Sequence, residues 1–154
     1  MISNRRLDHA AIHLDTNVFI CFVGAHRCRA RVRRALSASI EPAWCRAVTS
    51  EPTPAEALVK PMQDRRQDVA DTSRGLSSPT STIEPVPVAR SLLETGARHR
   101  AELGGCAADA IHAPTAAAAR CGYLVSHDLR LPLPAMLERT RVCEISIDDG
   151  VSGA

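Results

Sequence analysis

The sequence predicts an α/β fold with a mostly parallel sheet, on three observations. Short apolar runs such as AAIHLD (residues 10–15) and YLVS (123–126) alternate with longer helical segments, the order expected of strand–helix–strand units. The first run ends in Asp15 and the second is followed by His127-Asp128, where sites form in such sheets, beyond the carboxyl ends of strands. The chain has 154 residues, 45% apolar and 23% charged, which suits one globular domain with a sizeable core.

Taken in order, residues 10–15 read as a short buried strand. Asn17 to about Val23 starts a helix that Gly24 breaks, and 25–39 form a second helix rich in arginine. WCRAVT (44–49) is a short strand. In TPAEALVKP (53–61), Thr53 is a good N-cap, Pro54 fits the first helical position, and Pro61 is expected to stop or kink the helix. Residues 62–72 allow a further helical piece, and DTSRGLSSPTST (71–82) reads as a loop. Pro85 and Pro87 push the strand-like 83–88 to a sheet edge or an extended connection. Residues 89–103 and 107–120 read as helices, 123–126 as a strand. A short helix near 134–139 and a strand over 142–147 close the chain.

Composition limits the function. Aromatics are 3% of residues, too few for many base-stacking platforms. Net charge is +2, and Lys60 is the only lysine. Arginine suits phosphate oxygens, although a GC-rich coding sequence gives the same bias. The basic run HRCRARVRR (26–34) can contact RNA phosphates or form a solvated face. The six cysteines (21, 28, 45, 106, 121, 143) form no Cys-x-x-Cys motif and read as half-buried thiols of a reducing cytoplasm. No signal peptide is recognisable, and no apolar run reaches the ~18 residues of a membrane span.

Four acids fall where a functional edge is expected. Asp15 stands where a strand passes into a helix, Asp128 follows YLVS, Glu56 lies near a helix start after a strand, and Asp109 opens a helix. Each has a local alternative. Asp15 can cap the next helix, and Thr53-x-x-Glu56 is a capping box. Asp109 can complement a helix dipole, and Asp128 can hold a turn with Leu129-Arg130.

Four segments occur in a telling order: LDTN (14–17), TSEPTPAEALVKP (49–61), ADAIHAPTA (108–116) and CGYLVSHDLRL (121–131). Together they resemble the motif set of PIN-domain ribonucleases, a family that includes the VapC toxins of toxin–antitoxin pairs, over about residues 11–147 of a single domain spanning 1–154. The resemblance implies a three-layer fold, a central sheet of about five strands flanked by helices. It implies that Asp15, Glu56, Asp109 and Asp128 hold magnesium or manganese, with Thr16, Asn17 and Ser126 in support and Glu51 at the rim. It also implies RNA as substrate, products with a 5′-phosphate and a 3′-hydroxyl, a homodimer and a small antitoxin partner.

The physics of such a cluster stands apart from the name. Two carboxylates ~4 Å apart repel by about 4 kcal/mol at an effective dielectric of 20, so several are tolerated only when protons or cations neutralise them. Hard cations such as magnesium prefer oxygen ligands. A bound divalent ion activates water and steadies charge on a phosphate.

The chain departs from the family pattern at three places. Pro114 falls inside the helix of Asp109 and is expected to kink it or delay its start. Pro52 and Pro54 stand where aliphatics are commoner, and Ser126-His127-Asp128 where Thr-Asn-Asp is common. These departures motivate a second reading, a catalytically impaired PIN-like binding module. A third reading is a metal phosphohydrolase built on Asp109-x-x-His112 and His127-Asp128. His9, His13, His26 and His99 are expected at the surface or in the core.

Overall fold

Five parallel strands form the sheet. The computed structural model describes residues 10–24, 29–40, 45–78, 81–104, 107–131 and 133–145. The strands β1 (Ala11–Leu14), β2 (Arg46–Ser50), β3 (Ile83–Val86), β4 (Tyr123–Val125) and β5 (Glu138–Thr140) lie in the order β3-β2-β1-β4-β5. Every neighbouring pair is parallel. Leu14 stands beside Thr49 and Val125, and Val125 beside Thr140, so the carboxyl ends align along one edge. The chain passes from β1 outward through β2 and β3, then returns to the other side of β1 as β4. That reversal makes the gap between β1 and β4 the topological switch point, where ligands bind in open parallel sheets.

Helices cover both faces. They are α1 (Thr16–Val23), α2 (Arg29–Ile40), α3 (Pro52–Gln63), α4 (Gln67–Leu76), α5 (Arg90–Leu103) and α6 (Ala107–Ala118), with a 3-10 turn at Val142–Glu144. Strand alternation sorts the core. Ile12, Leu14, Ala47, Ile83 and Val125 join Phe19, Phe22 and Leu36 on one face. Val48 and Leu124 join Ala113, Ala116, Leu131 and Leu137 on the other. Each fully buried Leu, Ile or Phe stabilises the fold by about 1.5–3 kcal/mol. His13 alternates with Ile12 and Leu14, so it lies on the α6 face of the central strand, fully buried.

The proline-bearing strand β3 is an edge strand, the first of the two placements its prolines allow. Gly24 ends α1 in the left-handed conformation (φ 109°), its N–H donating to the Ile20 carbonyl.

Four local expectations need correction. Helix α3 begins at Pro52 rather than after Thr53 and runs past Pro61 to Gln63. The segment read as a loop from 71 is helical to Leu76: Val69, Ala70 and Ser73 bury one stripe of α4, a helical spacing hidden among polar residues. The strand expected at 142–147 is a 3-10 turn over Val142–Glu144, and β5 instead falls at Glu138–Thr140, overlapping the end of the stretch expected to be helical. There, pairing with β4 outweighs local preference. Residues 146 and 147 lie outside the described residues.

Pro114 neither delays nor ends its helix: α6 starts at Ala107, and Asp109 sits in its first turn. Pro114 has no N–H to return to the Ala110 carbonyl four residues back. Gly96 of α5 packs against that carbonyl, so closely that a Cβ at Gly96 would stand 3.2 Å from the Ala110 oxygen. A bare glycine lets the second helix pack where proline has removed a hydrogen bond.

Candidate active site

The candidate residues sit at the carboxyl edge of the sheet. Asp15 follows β1 directly and its backbone N–H extends the ladder to the Val125 carbonyl (3.2 Å). Its side chain is 4% exposed and caps α1, Oδ1 accepting from the Val18 N–H at 2.7 Å. The capping alternative is therefore met at Asp15, which does not exclude a second role for the same carboxylate.

Glu56 is not part of a capping box. The cap position of α3 is Glu51, exposed and without a side-chain cap bond. The Glu56 carboxylate turns to α1 instead, its Oε2 accepting from the Thr16 hydroxyl at 2.7 Å. Thr16 Oγ1 also lies 3.3 Å from Thr53 Oγ1 and 3.2 Å from His112 Nε2. Asn17 is exposed on the same first turn of α1.

Asp109 reaches this edge because α6 runs back from it. The far end of α6 is tied to the amino end of β2, where the Arg46 guanidinium donates to the Ala119 carbonyl. Asp15, Asp109 and Glu56 all act electrostatically on the His112 imidazole, each favouring its protonation, against a larger opposing effect of burial that leaves it below its ordinary pKa. Three acids, from the starts of α1 and α6 and from the second turn of α3, thus lie within electrostatic range of one ring.

Asp128 stands further out. The Ser126 hydroxyl, fully buried, accepts from the Asp128 N–H at 3.0 Å, and Asp128 Oδ1 accepts from the Arg130 N–H at 2.9 Å, the turn anticipated as its local alternative. The Arg130 guanidinium contacts both carboxylate oxygens, at 3.1 and 3.4 Å, and its hydrogen bond holds the Asp128 carboxyl below the usual carboxylate range. Arg130 also feels Asp109, which links Asp128 to the inner three. Arg139 of β5 fastens this loop by donating to the carbonyls of Leu129 and Leu131.

Among the described residues, no three acidic, imidazole or thiol groups converge closely enough to hold a metal ion as they stand. The acids are gathered at one edge, but Asp15, Glu56 and Asp128 are committed to protein donors.

A sequence profile of the PIN domain matches residues 12–135. The chain belongs to the PIN domain family. PIN domains are nucleases and generally use divalent metal ions. The fold of this PIN domain is also similar to a chain in the crystal structure of VapBC2 from Rickettsia felis bound to a DNA fragment from their promoter. The TM-score is 0.61 at 17% identity, over 85% of this chain and 98% of that one. No curated protein matches. No helix among the described residues is long and apolar enough to cross a membrane.

Within this PIN domain the sequence reading overlooked a buried polar chain. His13 Nε2 lies 3.1 Å from Ser50 Oγ, and Ser50 Oγ 3.2 Å from His112 Nδ1. The two rings meet edge to face at 5.3 Å. Burial, and then His112, hold His13 well below its ordinary pKa. Both nitrogens of His112 are engaged, by Ser50 and Thr16, and His127 is exposed. That disposition argues against the histidine-and-carboxylate metal site. The one available signal was a histidine in the middle of a strand otherwise fit for burial, which demands a partner.

Proposed function

We propose that this PIN domain is a divalent-cation-dependent endoribonuclease, the toxin of a toxin–antitoxin pair. In this reading it acts in the cytoplasm on RNA, with a small antitoxin protein as partner and a homodimer as its assembly. The observation that carries the reading is that Asp15, Glu56 and Asp109 all lie within electrostatic range of His112 at the carboxyl edge of a PIN fold.

The donor set fits a hard cation in kind: carboxylates without thiols. Asp15, Glu56, Asp109 and Asp128 would hold magnesium or manganese, which supplies an activated water and neutralises charge on the phosphodiester. The chain's own residues prepare the site. Asp15 is held by the start of α1, so its carboxylate is placed by backbone rather than by a free rotamer. Thr16 holds Glu56 from across the site. Ser126 and Arg139 hold the loop that carries Asp128. Asp128 has to leave Arg130 to join the others, which frees a guanidinium beside the site for a substrate phosphate.

The test is incubation of defined RNAs with magnesium, with manganese and with EDTA. Cleavage with either metal, leaving 5′-phosphate ends and stopped by EDTA, is the expected result. Cleavage that survives EDTA contradicts it. The committed carboxylates and the Asp128–Arg130 pair favour one second reading, an impaired PIN-like binding module. That module would give no cleavage with either metal while still binding a partner.

A further inference from the structure

The hydrogen bonds joining His13, Ser50, His112, Thr16 and Glu56 have a direction, and two separate observations set it. At one end, the Thr16 hydroxyl has a single proton, which goes to the Glu56 carboxylate at 2.7 Å. Its oxygen can then only accept from its other neighbours, Thr53 and His112. His112 must therefore carry its proton on Nε2. Being neutral in its buried place, it leaves Nδ1 as an acceptor, and the Ser50 hydroxyl donates there. Ser50 oxygen in turn accepts from His13 Nε2.

The other end gives the same answer independently. Among the described residues, His13 Nδ1 is buried with no hydrogen-bond partner. A proton there would be an orphaned buried donor, which costs more than an unpaired acceptor lone pair on a neutral ring. The His13 proton thus sits on Nε2, facing Ser50. Both ends orient every donor toward Glu56.

We propose that His112, backed by Ser50 and His13, is a positioning residue that commits the Thr16 hydroxyl proton to Glu56 and so fixes that carboxylate for its work. The inference rests on the nuclease reading for its consequence but not for its geometry. His13 and His112 lie on β1 and α6 and reach Glu56 through Thr16, whose oxygen Thr53 of α3 also approaches at 3.3 Å.

The experiment is long-range proton–nitrogen NMR on the full chain labelled at histidine, without added metal, at pH 7.5. Both rings are expected in the neutral Nε2-protonated form. In Thr16→Val, His112 loses its acceptor and the Nδ1-protonated form appears, whereas Thr16→Ser keeps the original pattern. Either ring protonated on Nδ1 in the unmodified protein overturns the directed chain. In RNA cleavage, His112→Asn is expected to lower kcat about tenfold or more, the usual effect of losing an outer partner, with little change in KM. Thr16→Val falls likewise and Thr16→Ser recovers. Should His112→Asn or Thr16→Val turn over at the unmodified rate, the positioning role is refuted. An inactive unmodified protein sinks the nuclease reading alone, because the ring patterns are read without RNA.

Discussion

Thr16 and Glu56 stand 40 residues apart in sequence and 2.7 Å apart in space, the hydroxyl of α1 donating to the carboxylate of α3. This bond joins the helix that leaves the central strand to the helix that leaves its neighbour. It places Glu56 toward Asp15 rather than over its own helix end.

The double role of Asp15 can be separated by its two conservative replacements. Asparagine caps a helix about as well as aspartate, whereas alanine loses about 1 kcal/mol. Asp15→Asn is expected to abolish metal-dependent cleavage while keeping thermal stability in the absence of metal equal or higher, since one negative charge is removed from the edge. Asp15→Ala is expected to lose cleavage and to unfold earlier. Unfolding curves with and without EDTA check both.

Lowering pH should weaken the fold through its buried histidines. His13 has a folded pKa depressed by burial, so below the ordinary value of about 6.5 the unfolded chain takes up a proton that the folded chain refuses. Its contribution is complete above that value and declines as pH falls below it. His112 adds less, because Asp15, Asp109 and Glu56 favour its charged form. Urea unfolding at pH 7.5 and 5.5 should show the loss, and His13→Gln should reduce it.

Arg130 competes with a cation for Asp128. The pair is exposed on the Arg130 side, so its removal should leave the melting temperature unchanged. Arg130→Ala is expected to tighten manganese binding a few-fold (about threefold, ~0.7 kcal/mol of relieved competition). Calorimetric titration of both proteins gives the comparison, and weaker binding by the variant would count against the competition.

Gly96→Ala sets two effects against each other. Alanine gains about 1 kcal/mol in a helix interior over glycine, but its Cβ would press on the Ala110 carbonyl at 3.2 Å, and overpacking costs about 1–3 kcal/mol. Because a backbone oxygen beside Pro114 cannot rotate away, the net expectation is a lower melting temperature without loss of cleavage.

What could be seen in the sequence follows from the range of each interaction. Asp15 was legible because its strand, its cap and its helix are adjacent in the chain. The edge position of β3 was legible in Pro85 and Pro87. Glu56 was assigned its edge, but its partner could not be seen, since Thr53-x-x-Glu56 imitates a local capping box while the bond runs to Thr16. The His13–Ser50–His112 chain spans separations of 37 and 62 residues, and the parallel register of β1 with β2 together with the packing of α6 over them brings it together. The start of helix α4 fell within the helical piece expected over 62–72, but its end at Leu76 was obscured because its apolar stripe is short and its surroundings polar. β5 was misplaced because a three-residue strand carries almost no pattern of its own.

The central claim is that acids distant in sequence meet at one edge to hold a divalent ion. Manganese titration followed by electron paramagnetic resonance tests it most directly, comparing the unmodified protein with Asp15→Asn, Glu56→Gln and Asp109→Asn. The account predicts saturable manganese binding in the unmodified protein and its loss or marked weakening in each variant. Manganese uptake that is absent from the start, or that is indifferent to all three changes, contradicts it.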